Sequence, residues 1–309
     1  MTFYFDWEIE FIVFLQEHIN GFLLDLVNII TEFGDELFLV GVIGLIYWCL
    51  NKELGRKLTL RLGLINVINP FIKNVAKRNR PYISSDRIKC LNPSEDGDIY
   101  NLDIQGYSFP SGHASNTIAV YGGIAKYKKN KLVTCLMLIV ILLIGLSRNI
   151  VGVHFPTDVI AGWIIGIITL ALLDLCINKF GERKVYICLC ILGLFGFLIA
   201  TSNDYYNGYG IMVGTILSIP FEKKYVQFEG TNNIIECVIR VVIGVLCFIE
   251  LNALMKLPFS TTFLESGTLL ALLVRSIRYT CLLFFELGIY PMSFKYLHKL
   301  FGGKDVKKD

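Results

Sequence analysis

The strongest constraint on this chain is a succession of stretches, each about 15–24 residues long and nearly empty of charge, that are long enough to cross a hydrocarbon layer of roughly 30 Å. Overall composition agrees. Only 18% of residues are charged and mean hydropathy is +0.58, whereas soluble domains carry about a quarter of their residues as charges. The sequence therefore predicts an all-α, multi-pass membrane helix bundle. No cleavable leader is expected, because Met1–Glu10 is acidic where a secretory signal starts basic.

Residues 9–33 place Ile12, Leu15, Ile19, Phe22, Leu23, Leu26, Ile30 and Phe33 at helical spacing, with Glu10, Glu17, Asp25 and Glu32 elsewhere on the wheel. So many acids suit an amphipathic helix at the membrane interface better than a span, and 1–35 is taken as that segment. Spans are expected near 36–50, 57–76, 113–126, 131–148, 156–178, 184–201, 207–221, 234–256 and 267–290. Tyr47 and Trp48 suit an interface belt, and Asn66, Asn69 and Pro70 should face into the bundle.

Orientation follows from Lys and Arg. Alternate connections hold Lys52/Arg56/Lys57, Lys126/Lys128/Lys129/Lys131, Lys179/Arg183/Lys184, Lys223/Lys224 and a tail with Lys295, Lys299, Lys304, Lys307 and Lys308. The intervening connections 201–207 and 258–266 hold none, so the first set is assigned to the cytoplasm. Loop 73–108 breaks this bias, with Lys73, Lys77, Arg78, Arg80, Arg87 and Lys89 on the outer side, and anion binding would explain the exception.

Three pieces of sequence fall at span ends on that outer side. The second span ends in KNVAKRNRP, with Lys73 and Arg80 seven residues apart. A long loop leads to Pro110-Ser111-Gly112-His113, a helix start offering unpaired N–H groups, a hydroxyl and an imidazole. The fourth span ends in SRNIVGVHFPTD, which supplies Ser147, Arg148, His154 and Asp158. A bound phosphomonoester carries nearly two negative charges. Lys73, Arg80 and Arg148 would balance them, while Ser111 and the amides around Gly112 complete a cradle. Each residue also has a plain structural reading: snorkelling for Lys73 and Arg80, a helix cap for Ser111 and Gly112, a satisfied histidine for His113 and His154, and a cap or Arg148 partner for Asp158.

These pieces resemble, position by position, the K-x6-RP, PSGH and SR-x5-H-x3-D signature of the type-2 phosphatidic acid phosphatase superfamily. The likeness covers residues 73–158 directly and implies a six-helix phosphatase core over 36–221, leaving 222–309 as extra membrane spans and a basic tail. Thr31, Tyr47 and Trp48, the run HFPTDVIAGW from His154, and PFEKKY from Pro220 are similar to the sphingosine-1-phosphate-phosphatase-like and bacterial polyprenyl-phosphatase branches. The resemblance implies His154 as nucleophile forming a phosphohistidine, Asp158 as its orienting partner four residues on, and His113 as acid to the leaving alkoxide and then base to water.

The expected activity is hydrolysis of a lipid phosphate at the outer leaflet of the cell membrane, without cofactor, metal or nucleic acid. Candidate substrates are undecaprenyl diphosphate, phosphatidate, phosphatidylglycerophosphate and a sphingoid phosphate. A phosphotransferase using the same site is the alternative, and a non-catalytic lipid-phosphate binder or transporter is the alternative of another class. Asp96, Asp98 and Asp103 lack calcium-loop spacing and suggest a solvated turn. Nine cysteines without framework spacing argue against a disulfide scaffold. Charges in the last spans suggest pairing of Glu236 with Arg240, and of Glu250 with Arg275 or Arg278.

Overall fold

A computed structural model describes residues 3–93, 97–199 and 202–301, and every regular element among them is helical. The single helix expected over 9–33 is two, α1 (Asp6–Glu17) and α2 (Gly21–Glu32), bent by 119°. Asn20 causes the break: its side chain caps α2 by accepting from the Leu23 amide at 3.1 Å. Ile9, Ile12 and Val13 of α1 face inward, while Phe5, Trp7, Phe11 and Phe14 stay exposed.

Helix α3 (Glu36–Leu45) runs on through a π-type turn, Ile46–Leu50, and α4 (Lys52–Ala76) starts afresh after Asn51, which is extended and caps it. Short helices α5 (Pro81–Ser84) and α6 (Leu102–Gln105) punctuate the next connection. Helix α7 (Gly112–Thr117) then continues through a second π-type turn into α8 (Gly123–Lys128). The long helices α9 (Lys131–Ile150) and α10 (Pro156–Phe180) are followed by α11 (Glu182–Gly196) and α12 (Asn203–Phe221). The chain finishes with α13 (Ile234–Leu254), α14 (Thr261–Leu264), α15 (Leu269–Phe284) and α16 (Phe294–Leu300).

By length and composition alone, two of the described helices, α9 and α10, are able to cross a membrane, or three segments if the bent α1–α2 pair counts as one. Charge in other long helices is neutralised inside the bundle. On α4, Arg61 donates both Nη2 contacts to Asp174 of α10 (2.7 and 2.9 Å), and Arg56 pairs with Glu222 just beyond α12. A buried charge is tolerated when paired in this way. As expected, Asn69 is buried, with its amide on Ser115 of α7, and Asn66 reaches Glu36 at 3.2 Å.

The basic connections gather at one end of the bundle. Asn51 donates to the Tyr127 hydroxyl at 2.7 Å, Lys126 pairs with Asp174 at 2.7 Å, and Lys223 meets Glu182 at 3.5 Å. Lys304, Lys307 and Lys308 lie outside the described residues.

Two expectations are corrected at the contacts of the C-terminal helices. Tyr47 and Trp48 are buried instead of forming a belt, because their polar tips find the Leu287 and Glu286 carbonyls (2.7 and 3.2 Å) at the seam with the last helices. Arg278 reaches Asn252 Oδ1 at 2.7 Å rather than Glu250, whose side chain is exposed. Glu236 and Arg240 do pair, at 2.5 Å.

Candidate active site

Four helix ends meet opposite the basic end: the C-termini of α4 and α9 and the N-termini of α7 and α10. Ser111 is the N-cap of α7. Its hydroxyl accepts from the Ala114 amide at 3.4 Å, and its own amide donates to the Asp158 carbonyl at 3.0 Å. That bond locks the first turn of α7 onto the first turn of α10. A Cβ at Gly162 would lie 2.6 Å from the Ser111 carbonyl, so only glycine lets the two helices approach this closely. At Gly112 the space beside the backbone is open, with its nearest neighbour, the Asn69 amide nitrogen, 3.9 Å from where a Cβ would sit.

His113 is half-buried and packs over the turn between α2 and α3, where a Cβ on Gly34 would come within 3.1 Å of its ring. His154 lies in the tight corner after α9. Its amide donates to the Arg148 carbonyl at 3.3 Å, and its carbonyl accepts from Asn149 at 2.8 Å. The charges of Lys73, Arg80 and Arg148 all act on both imidazoles, so the three separated motif pieces share one electrostatic site. Burial first, then the charges of Arg80, Arg148 and Lys73, holds the His154 imidazole well below the usual histidine range.

The guanidinium groups are aimed by backbone and hydroxyl oxygens. Arg80 is buried and donates to the carbonyls of Gly106 (2.9 Å), Val153 (3.3 Å) and Gln105, leaving part of its five-donor fork uncommitted. Arg148 donates from Nη1 to Thr31 Oγ1 at 3.1 Å, and Thr31 in turn bonds Ser147 at 2.8 Å. Arg148 Nε is buried with no hydrogen-bond partner among the described residues, as is His154 Nδ1. A buried guanidinium donor left open is uncommon, and a ligand anion is one way to occupy Arg148 Nε, whereas His154 Nδ1 faces Asp158.

Asp158 has more partners than its sequence position announces. Oδ2 accepts from the Phe155 amide at 2.8 Å, which makes Asp158 a cap of α10, and it also faces His154 Nδ1 from 3.6 Å. Oδ1 accepts from Arg78 at 2.6 Å, so the cation paired with Asp158 is Arg78 and not the Arg148 of the plain structural reading. Arg78 also bonds Glu8 of α1 at 2.7 Å. Sequence reasoning placed Arg78 only in a basic loop and passed over Glu8 altogether. The one available signal was that these charges belong to segments bracketing the motif.

Among the described residues, no three His, Cys, Asp or Glu side chains gather as ligands for a single ion. Asp98 accepts from the Tyr100 amide at 3.0 Å and closes a turn, whereas Asp96 and the Asp103 side chain lie outside the described residues.

Residues 55–182 match the PAP2 superfamily, and residues 206–302 match the transmembrane extension of PAP2 superfamily phosphatases. Phosphatidylglycerophosphatase B of Bacillus subtilis (strain 168) is 29% identical over 50% of this chain and 73% of its own length. Lipid phosphate phosphatase delta of Arabidopsis thaliana is 22% identical over 62% of this chain but only 50% of its own. An undecaprenyl-diphosphatase of Sulfolobus acidocaldarius is 29% identical over 48% of this chain and 66% of its own. No solved structure gives a significant match. With the phosphatase domain and its transmembrane extension both matched in order, the chain belongs to the PAP2 superfamily as a membrane-embedded phosphatase.

Proposed function

We propose that this protein hydrolyses a lipid phosphate through a phosphohistidine on His154. The observation that carries the proposal is the convergence of Lys73, Arg80 and Arg148 on the two imidazoles beside the open backbone at Gly112. Three cations and the first amides of α7 balance the phosphoryl oxygens. With Nδ1 turned to Asp158, the Nε2 lone pair of His154 attacks the terminal phosphorus as its bond to the leaving oxygen breaks, the leaving group being the lipid alkoxide of a monoester or the lipid monophosphate of a diphosphate. Once the bound phosphate's charge offsets the three cations, His113 holds a proton and donates it to that leaving oxygen. It then takes a proton from water, whose oxygen attacks phosphorus while the P–N bond breaks, releasing inorganic phosphate and free His154.

The loop charges support a site on the extracytoplasmic side, at headgroup depth, where a lipid tail stays in the bilayer. Phosphatidylglycerophosphate and undecaprenyl diphosphate are favoured over phosphatidate or a sphingoid phosphate, since relatives named for the first two align at 29% identity. The test is phosphate release from a panel of these lipids in detergent micelles with chelator present. We expect turnover of at least one lipid, and its loss in His154→Asn. A folded His154→Asn variant with undiminished release would falsify the nucleophile assignment. Appearance of label on an added lipid or sugar alcohol instead of in free phosphate would favour the phosphotransferase.

A further inference from the structure

Glu8 stands ahead of both family matches, yet it is fully buried at the site. Its Oε2 accepts from Arg78 Nη2 (2.7 Å) and the Phe5 amide (3.0 Å), and its Oε1 from the Thr157 hydroxyl (2.6 Å) and amide (3.2 Å). Arg78 spreads its fork over Asp158 Oδ1 (2.6 Å), Thr157 Oγ1 (2.7 Å) and the Phe3 carbonyl (2.8 Å), with its guanidinium 4.1 Å from the Phe155 ring centre. Charges therefore alternate from α1 to the imidazole: Glu8, Arg78, Asp158, His154.

We infer that Glu8 and Arg78 are positioning residues for His154, acting through Asp158. Arg78 fixes Oδ1, which turns Oδ2 toward the imidazole. Glu8 offsets the Arg78 charge, so the Asp158 carboxylate keeps its field for His154. The inference rests on the phosphohistidine reading above.

A tether for α1 did not need these charges. Gln16 already binds the Lys89 and Ile150 carbonyls (2.8 and 3.0 Å), Glu10 pairs with Arg87 (2.9 Å), and Ile9, Ile12 and Val13 supply an apolar face. Buried ion pairs are often no more stabilising than apolar replacements of similar volume. Their placement against Asp158 gives the charge a use. The other charged or titratable groups facing His154 are Lys73 from α4, Arg80 from the loop, His113 from α7 and Arg148 from α9, and the backbone of Ser108, whose amide donates to the Arg78 carbonyl at 2.9 Å, lies against the ring as well.

The test follows the His154 ring by nitrogen NMR in the full chain in detergent, labelled at its four histidines, with the signal assigned by its loss in His154→Asn. Removing the Glu8 charge by Glu8→Gln leaves Arg78 acting on Asp158 alone. The His154 titration midpoint then moves down, and kcat falls about tenfold, equivalent to one pK unit of field, with little change in KM. The double variant Glu8→Leu/Arg78→Met frees Asp158 of its cation and moves the midpoint up, while keeping a neutral, packed core if Glu8→Gln alone does not fold. Glu10→Gln, which cuts a different α1 tie, leaves the midpoint in place. Opposite shifts in the two clamp variants support the inference. A folded clamp variant whose His154 titrates like wild type overturns it. The ring measurement needs no turnover, so wild-type protein that releases no phosphate refutes the hydrolase reading and leaves the clamp to be decided by the ring shifts.

Discussion

His154 Nδ1 stands 3.6 Å from Asp158 Oδ2, outside hydrogen-bond range, while the same oxygen accepts from the Phe155 amide at 2.8 Å. One carboxylate thus caps α10, pairs with Arg78 and faces the imidazole. Catalytic contacts commonly tighten only when substrate binds. In Asp158→Asn the cap acceptor survives, but the charge that favours the Nδ1–H tautomer is gone. We expect kcat to fall by about 10²–10⁴-fold, the range typical of losing such a partner. Arg78 is left without one of its carboxylates, so the unfolding midpoint falls as well. A kcat within a few-fold of wild type would remove Asp158 from the catalytic apparatus.

The pH dependence follows from the His154 environment. Burial and the nearby Arg80, Arg148 and Lys73 hold its pKa well below the ordinary value of about 6.5, so the ring is neutral and nucleophilic at neutral pH. Where the unfolded chain protonates this histidine and the folded chain does not, stability falls as pH falls below the unfolded pKa. The acid limb of kcat/KM should accordingly lie below about pH 6.5. In Arg148→Gln, with one cation removed, the limb attributable to His154 should move toward higher pH. A limb that stays in place, measured on the same lipid, would show that another group controls it.

The motifs of the candidate site were legible because each is a short local run. Lys73, Arg80, Ser111, Gly112, His113, Arg148, His154 and Asp158 sit at span ends whose common side the loop charges indicate, and the fold brings these ends together. The supporting contacts were not legible, since they are set by distance across the fold. Glu8 and Arg78 are 70 residues apart and share no pattern in sequence. Thr31 carries no sign that it will meet Arg148, 117 residues on. The break at Asn20 was readable as a cap followed by glycine, but the apolar periodicity on both sides hid it. Tyr47 and Trp48 were misplaced because an interface aromatic and a buried aromatic with a carbonyl partner look alike in sequence.

Thr31 offers a narrow test of how Arg148 is aimed. Its hydroxyl is the acceptor for Arg148 Nη1 at 3.1 Å and bonds Ser147 at 2.8 Å. Thr31→Val preserves shape and removes both bonds. Hydrogen bonds involving a charged group contribute about 1.5–3 kcal/mol, so kcat/KM should fall roughly 10–100-fold. Thr31→Ser, which keeps the hydroxyl, should restore most of it. Equal losses in both variants would assign Thr31 to packing rather than to orienting the guanidinium.

Glu286 is a costly residue with no visible return. It is only 3% exposed, lies at the seam between α3 and the C-terminal helices, and neither carboxylate oxygen has a hydrogen-bond partner among the described residues. Its neighbours there are apolar, among them Val40, Ile43, Trp48 and Leu283, lining a cavity that Glu36 also borders. A buried polar group without a partner costs about 1–3 kcal/mol in proteins. Glu286→Leu, similar in volume and without that cost, should stabilise the detergent-solubilised protein by a similar amount, read as a higher unfolding midpoint. The backbone carbonyl that receives Trp48 Nε1 at 3.2 Å is unchanged by the substitution, so the seam should keep its geometry. Phosphate release should continue at the wild-type rate, because no residue of the cradle or the histidine pair contacts this carboxylate. A lower unfolding midpoint would show that the carboxyl is satisfied in the membrane, and a loss of turnover with unchanged stability would give the seam a part in catalysis.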